Sequence, residues 1–167
     1  LINGEEYGKT EKVVTTIYGL KPDTEYKITA VYAGKEYGPV EFKTDYEYVT
    51  LNVREFGAYG DGEHDDTNAI QCAIMAAPKD SRVLVPEGVY KISSIFLKDN
   101  LNLELAKGAV LSAFTERDKF PILPGQIETY DEKDYYNLGT WEGNPLDMFS
   151  AIVCGINCSN VTITGEG

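Results

Sequence analysis

Histidine is almost absent from this chain: of 167 residues, only His64 carries an imidazole. No cluster of histidines is therefore available to ligate a metal, and His64 is the one imidazole that could act as a general base. Cysteine is scarce too, and an odd count of three supplies no disulfide framework. Cys154 and Cys158 form C-x3-C, yet no second pair or neighbouring histidine completes a site, and both read as small buried residues. Basic residues are outnumbered, 15 Lys and Arg against 27 Asp and Glu, giving a net charge of −12. A chain this acidic lacks the basic patch that recruits nucleic acid or an anionic membrane surface, so neither partner is expected. No apolar run approaches the roughly 18 residues of a membrane span. No signal-peptide pattern occurs, and the first residue is Leu1 rather than methionine, so the chain reads as a fragment or a processed form.

What is present suffices for one domain or two small ones, with 43% hydrophobic residues. The organising stretch is Val53 to Ala77. Tyr59-Gly-Asp-Gly62 is a turn cluster, because its glycines accept positive φ and Asp61 can bond its own backbone. Asp65, Asp66, Thr67 and Asn68 follow as N-cap residues, placing carboxylates at the positive end of a helix. Ala69, Ile70, Ala73, Ile74 and Ala77 then recur at helical spacing, and Pro78 stops the helix. A lone amphipathic helix followed almost entirely by strand signals predicts a helix that caps the end of a β structure.

Ahead of it, residues 13–20 (VVTTIYGL) and 25–33 (EYKITAVYA) read as strands. GPVEFKT reads as a third after a GKEYG turn. Tyr26, Ile28 and Ala30 alternate with Lys27, Thr29 and Val31, the period of a strand with one buried face. In the segment LKPDTEY, Tyr26 opens a strand where its hydroxyl can reach back to the backbone, as in the tyrosine corner of immunoglobulin-like sandwiches. LKPDTEY followed by KITAVYAGKEYGPVEFKT resembles the C-terminal half of a fibronectin type III domain, with the early strands missing. The expected organisation is a partial module of this kind over residues 1–46 and a second unit over 47–167.

After the helix come RVLVPEG, GVYKISS, SIFLKDN, NLNLELAKG and AVLSAF, short strands about ten residues apart. Leu101, Leu103 and Leu105 fall on one side, with Asn102 and Glu104 on the other. Strands that recur behind a capping helix, without strong hairpin signals, suit a solenoid, whose open end must be covered.

YGDGEHDDTNAIQCAI, followed by VLVPEGVYKISSIFLKDNLNLELAKGAVL, resembles the start of pectin-degrading parallel β-helices. Together with Trp141-Glu-Gly143 and the closing NVTITGEG, it is most similar to the polygalacturonase family of glycoside hydrolases, family 28. The resemblance runs from about Asn52 to Gly167, with insertion-like sequence between Phe120 and Pro145. It implies an all-β chain: a partial fibronectin type III-like β-sandwich, then the capping helix and first coils of a right-handed parallel β-helix. It also implies inverting hydrolysis of α-1,4-galacturonosyl linkages in pectin, without a cofactor, by an extracellular protein. The family's Asn-Thr-Asp and Gly-His-Gly motifs do not occur, the one Arg-x-Lys triplet, Arg117-Asp118-Lys119, is not preceded by them, and the pair Asp65-Asp66 belongs to the cap. No catalytic residue is assigned, and these residues alone are expected to be inactive. A polysaccharide lyase and a non-catalytic carbohydrate-binding or surface β-helix are the alternatives.

Among local candidates, Trp141 and Glu142 are the substrate-binding pair: an indole offers a flat apolar face to a sugar ring, and a carboxylate accepts its hydroxyls. Tyr130, Tyr135 and Tyr136 extend the same idea. Asp61, Glu63 and Asp65 alternate like the first ligands of a calcium loop, but Asp66 stands where glycine is needed and Cys72 where glutamate is, so no metal site is assigned. His64 beside Asp65 and Asp66 has no nucleophile or third partner and reads as a solvated turn residue. Asn157 and Asn160 each begin an N-x-[ST] triplet, a pattern short enough to arise by chance. Pectin is a polyanion, so its cleft calls for Lys or Arg at carboxylate-binding positions. In a chain this acidic, those positions are expected to lie mainly elsewhere in a longer protein.

Overall fold

The computed structural model describes residues 1–128 and 135–167. They divide into two units, Leu1–Val49 and Thr50–Gly167.

In the first unit, β1 (Glu25–Tyr32) and β2 (Lys35–Lys43) form an antiparallel hairpin. The connection is Ala33-Gly34, both at positive φ (50° and 76°), as two-residue hairpin loops require. Tyr26 faces Phe42 across the ladder with ring centroids 5.9 Å apart, and Lys27 faces Glu41 in a 2.6 Å ion pair. The Tyr26 hydroxyl accepts a 2.8 Å hydrogen bond from the Lys21 N–H, the reach-back expected of this tyrosine. Three local expectations are corrected. Residues 13–20 form no strand, and Val13 and Val14 stand exposed: β-branched sequence makes a strand only where a ladder partner exists. Lys35, Glu36, Tyr37 and Gly38, read as a turn, lie inside β2, because the turn falls at the preceding Ala-Gly. The alternation in β1 ends at a register shift between Ile28 and Ala30. No residue of this unit is fully buried.

The second unit is wound in coils. The first coil contains β3 (Thr50–Asn52), a 3₁₀ turn (Val53–Phe56), β4 (Asp61–Asp65) and α1 (Thr67–Ala76). The next carries β5 (Arg82–Val85), β6 (Gly88–Ile92) and β7 (Ile95–Phe96). The third carries β8 (Leu101–Leu105) and β9 (Ala109–Ala113). It then makes an excursion through β10 (Ile122–Leu123), β11 (Gln126–Glu128), β12 (Tyr135–Asn137), β13 (Thr140–Trp141), β14 (Asn144–Pro145) and β15 (Met148–Phe149). The coil resumes at β16 (Val153–Cys154), and β17 (Val161–Gly165) opens another. Between coils every ladder is parallel: β3-β5-β8-β17, β4-β6-β9 and β7-β16. The described residues are thus all-β apart from α1 and short 3₁₀ turns, and the coil strands stack by repetition, while hairpins are confined to the first unit and the excursion.

The core lies inside these coils. Leu101 and Leu103 are 2% and 1% exposed while Asn102 and Glu104 face outward, as their alternation predicts. Outside, Glu104 pairs with Arg82 of the preceding coil at 2.7 Å. Helix α1 buries Ile70, Ala73 and Ile74 completely in the same core, each isoleucine worth roughly 1.5–3 kcal/mol of burial. The helix stands where the first coil would otherwise need a strand beside β7, so it covers the end of the structure as expected. Gln71 carries this out: its amide donates to Phe96 O at 3.0 Å and accepts from Phe96 N–H at 2.7 Å, supplying the partner that edge strand β7 lacks. Lys98 reaches back to the carbonyls of Ala77 (2.5 Å) and Met75 (3.1 Å), where a cation suits the helix C-terminus.

One corner repeats. Arg82, Asn102 and Thr162 share a register row. The residues two positions earlier, Asp80, Asn100 and Asn160, all adopt left-handed φ of 60°, 56° and 56°. Asn160 Nδ2 donates to Asn100 Oδ1 at 3.0 Å, one rung of an amide ladder.

Candidate functional site

The excursion from the third coil is a built arm. At its base β10 pairs antiparallel with β15, placing Ile122 opposite Phe149. Two hairpins branch from it, β11 with β12 and β13 with β14. They meet at Gly125, whose carbonyl accepts from Leu138 N–H (3.0 Å) and Gly139 N–H (3.3 Å), and whose N–H donates to Asp147 Oδ1 (2.8 Å). A Cβ on Gly125 would lie 2.2 Å from Leu146 N, so only glycine lets the strands converge there. The arm returns to the coil through Ser150, whose hydroxyl lies 2.5 Å from that of Ser94, both buried.

Trp141 ends β13 and faces Asn144 across the ladder. Glu142 and Gly143 form the connecting turn, at φ 49° and 84°, the two positive values of a tight hairpin turn. Trp141-Glu-Gly143 is therefore a turn that pushes an indole outward, and Trp141 is 70% exposed. Tyr135 and Tyr136 are exposed on the neighbouring hairpin, while Tyr130 lies outside the described residues. The two sequence-chosen residues thus sit side by side at one hairpin tip, on an arm bearing further aromatics. The arrangement offers a flat apolar face with hydrogen-bond acceptors beside it, which suits sugar rings. The junction at Gly125 and Asp147 leaves one signal in the sequence, the Pro124-Gly125 turn pair.

The cap cluster does structural work. Asp66, fully buried, accepts from Tyr59 N–H at 2.6 Å and Gly60 N–H at 3.0 Å, and makes no side-chain cap bond to the helix. Asp65 instead accepts from Thr67 N–H at 3.0 Å and Thr67 Oγ1–H at 2.6 Å. Arg54 holds the carbonyls of Tyr59 and Glu87, each at 2.8 Å. Gly60, at φ 64°, leaves room for the Tyr90 ring, 2.8 Å from where a Cβ would be. Asp61 accepts from the backbone N–H groups of His64 (3.0 Å) and Glu63 (2.9 Å), and its second oxygen lies 2.7 Å from His64 Nδ1. These bonds, the His64 backbone donor foremost, hold the Asp61 carboxyl down at about 2. His64 stacks on Tyr59 with centroids 4.0 Å apart; it lies exposed within β4, where the register shifts between Asp61 and Asp65, rather than in the turn expected from the sequence.

Among the described residues, no three His, Cys, Asp or Glu side chains gather to hold a metal ion. All three cysteines are free thiols: Cys154 is buried, Cys158 partly so and Cys72 exposed on the helix. Asn160 turns its amide into the ladder, and Asn157 occupies a left-handed turn position. No helix among the described residues is long and apolar enough to cross a membrane.

A family model described as rhamnogalacturonase A/epimerase, pectate lyase-like matches residues 50–144, more than half of the chain. An exo-poly-alpha-D-galacturonosidase of Dickeya chrysanthemi is 36% identical over 161 residues, covering 89% of this chain and 25% of that protein. Among solved structures, the family 28 exopolygalacturonase of Yersinia enterocolitica aligns with a TM-score of 0.62 at 30% identity, over 89% of this chain and 26% of that one. The hyperthermoactive exopolygalacturonase of Thermotoga maritima aligns with a TM-score of 0.54 at 30% identity, over 70% of this chain and 23% of the other. The chain thus spans about a quarter of the length of these relatives. The stacked parallel coils, the capping helix and these matches lead to one conclusion: the chain belongs to the rhamnogalacturonase A/epimerase, pectate lyase-like family, with its likeness on the polygalacturonase side, glycoside hydrolase family 28.

Proposed function

We propose that this chain supplies the N-terminal coils of an extracellular hydrolase that cleaves α-1,4-galacturonosyl linkages in pectin with inversion. The observation that carries the reading is the likeness to exopolygalacturonases across 89% of the chain, including the arm as well as the cap. The cap motif alone serves solenoid ends in general, whereas this likeness extends over nearly the whole chain. In this reading the coils wind right-handed, as nearly all parallel crossover connections do. The first unit is a partial fibronectin type III-like module, supported by Tyr26 reaching back to Lys21. Trp141 and Glu142 contact the sugar from the arm, the indole against a ring face and the carboxylate on its hydroxyls.

Inverting hydrolysis needs an acid at the leaving oxygen and carboxylates that activate a water, set apart so that the water fits between them. The motifs that supply them in this family are absent from residues 1–167, so this chain contributes substrate contacts and framework rather than proton transfer. The test is incubation of the natural protein bearing this chain with polygalacturonate. Release of saturated products with new reducing ends supports the reading. Products with a 4,5-double bond would make it a lyase, and binding without turnover would make it a carbohydrate-binding module.

A further inference from the structure

In a chain with so few cations, two converge on one ring. Lys91 Nζ lies 5.1 Å and Lys119 Nζ 5.4 Å from the centroid of Phe114. The backbone enforces the meeting. Lys91 points outward from β6, in register with Ser112 of β9. Phe114 ends that strand's run by donating its N–H to Ile92 O at 2.9 Å. The 3₁₀ turn Arg117–Lys119 then folds Lys119 back over the ring, held by its N–H on Glu116 O at 3.2 Å. Among the described residues, neither ammonium has a carboxylate within ion-pair distance.

The carboxylates nearby are engaged elsewhere. Asp65, the register neighbour of Lys91, is bonded to Thr67. Glu116 accepts from Thr115 N–H (3.0 Å) and Thr115 Oγ1–H (3.2 Å); its carboxyl sits below the ordinary range, first through its own backbone N–H and then through the Thr115 hydroxyl, with the Lys91 charge a smaller contribution. Asp118 and Arg117 stand exposed on the same 3₁₀ turn. Two like charges gathered on one aromatic floor repel each other, and an anion placed between them relieves that repulsion.

We propose that Lys91, Phe114 and Lys119 form a carboxylate-binding subsite for uronate units of an acidic polysaccharide, at the root of the arm that carries Trp141. The proposal rests on the polygalacturonate reading above. It adds two such cations within this chain to those expected elsewhere in a longer protein. A uronate carboxylate between two ammonium groups gains charge-assisted hydrogen bonds that a neutral sugar or a methyl ester cannot make.

The test titrates trigalacturonate, and separately its fully methyl-esterified form, into this chain while following backbone amide shifts by NMR. Shifts at Lys91, Phe114 and Lys119 with the acid form, lost as salt is raised, are expected. The double variant K91Q/K119Q should weaken binding of the acid form about tenfold, with its amide dispersion unchanged. K79Q/K107Q, which removes the same charge elsewhere, should leave affinity within about twofold, as screening of distant charges predicts. Equal binding of acid and ester, equal loss in both double variants, or no shift at these residues would overturn the subsite. Hydrolysis by the natural protein separates the two ideas. Turnover of polygalacturonate with KM unaffected by K91Q/K119Q overturns the subsite and leaves the enzyme reading standing. Absent turnover, with trigalacturonate still held at these lysines, overturns the enzyme reading and leaves the subsite.

Discussion

Gln71 and Phe96 exchange a pair of hydrogen bonds in which a side-chain amide takes the place of a peptide group. The glutamine sits on the only α-helix among the described residues, and the phenylalanine on a strand whose other edge pairs with β16. Gln71→Ala should therefore lower stability by about 1–3 kcal/mol, because it leaves two backbone groups at a partly buried edge unpaired. Gln71→Glu keeps an acceptor for Phe96 N–H but opposes two oxygens at the carbonyl, so it should recover only part of the loss. Urea unfolding of the three proteins, with unchanged slopes, measures this; equal midpoints would contradict it.

The arm depends on Gly125 in a different way. An alanine there collides with Leu146 at the convergence of two hairpins, and neither residue belongs to the coil core. Gly125→Ala should open residues 121–128 and 135–149 to limited proteolysis while coil stability changes by less than about 0.5 kcal/mol. A protected arm in the variant would show that the junction tolerates a methyl group.

Asp61 gives a pH dependence of known sign. Its carboxyl is held at about 2 against an ordinary 3.8, first by the backbone N–H of His64 and then by that of Glu63. A depressed carboxyl contributes stability that is complete above the unfolded value and is lost as pH falls through the folded one. The turn should therefore weaken between pH 4 and 2, and Asp61→Asn should flatten that part of the profile. Carbon-detected NMR titration of the Asp61 carboxyl should give a midpoint near 2; a midpoint at 3.8 would contradict the turn geometry.

Asn100 stands at a left-handed corner and accepts from Asn160. Asn100→Gly should lose only the amide contact, about 1 kcal/mol, whereas Asn100→Ala should lose a further 1 kcal/mol or so to backbone strain. Thermal melts of both variants decide it, and an alanine variant as stable as the glycine one would argue against strain.

These features mark where the sequence was legible. Leu101 and Leu103 announce a one-sided strand because alternation is local. Ile70, Ala73 and Ile74 announce a buried helix face for the same reason. The ladder that pairs Leu101 with Val161 joins residues distant in sequence and leaves only a faint signal, an Asp or Asn repeated two positions before each outward residue. Asp66 was read as a helix cap from its neighbours, yet its carboxylate turns back to the Tyr59-Gly60 amides, a choice set by tertiary packing. Residues 13–20 had the composition of a strand without a partner to pair with. At the arm, Trp141 and Glu142 were legible as a motif. The convergence of Lys91 and Lys119 on Phe114 was not, because β6 and the 3₁₀ turn meet only when consecutive coils stack.

The most direct test of the central claim is proton NMR of the first products formed when the natural protein carrying this chain meets polygalacturonate. The account predicts saturated galacturonate appearing first as the β-anomer from its α-linkages, before mutarotation, as water attack opposite the leaving group requires. First appearance of the α-anomer, or an olefinic signal from an unsaturated product, would contradict it.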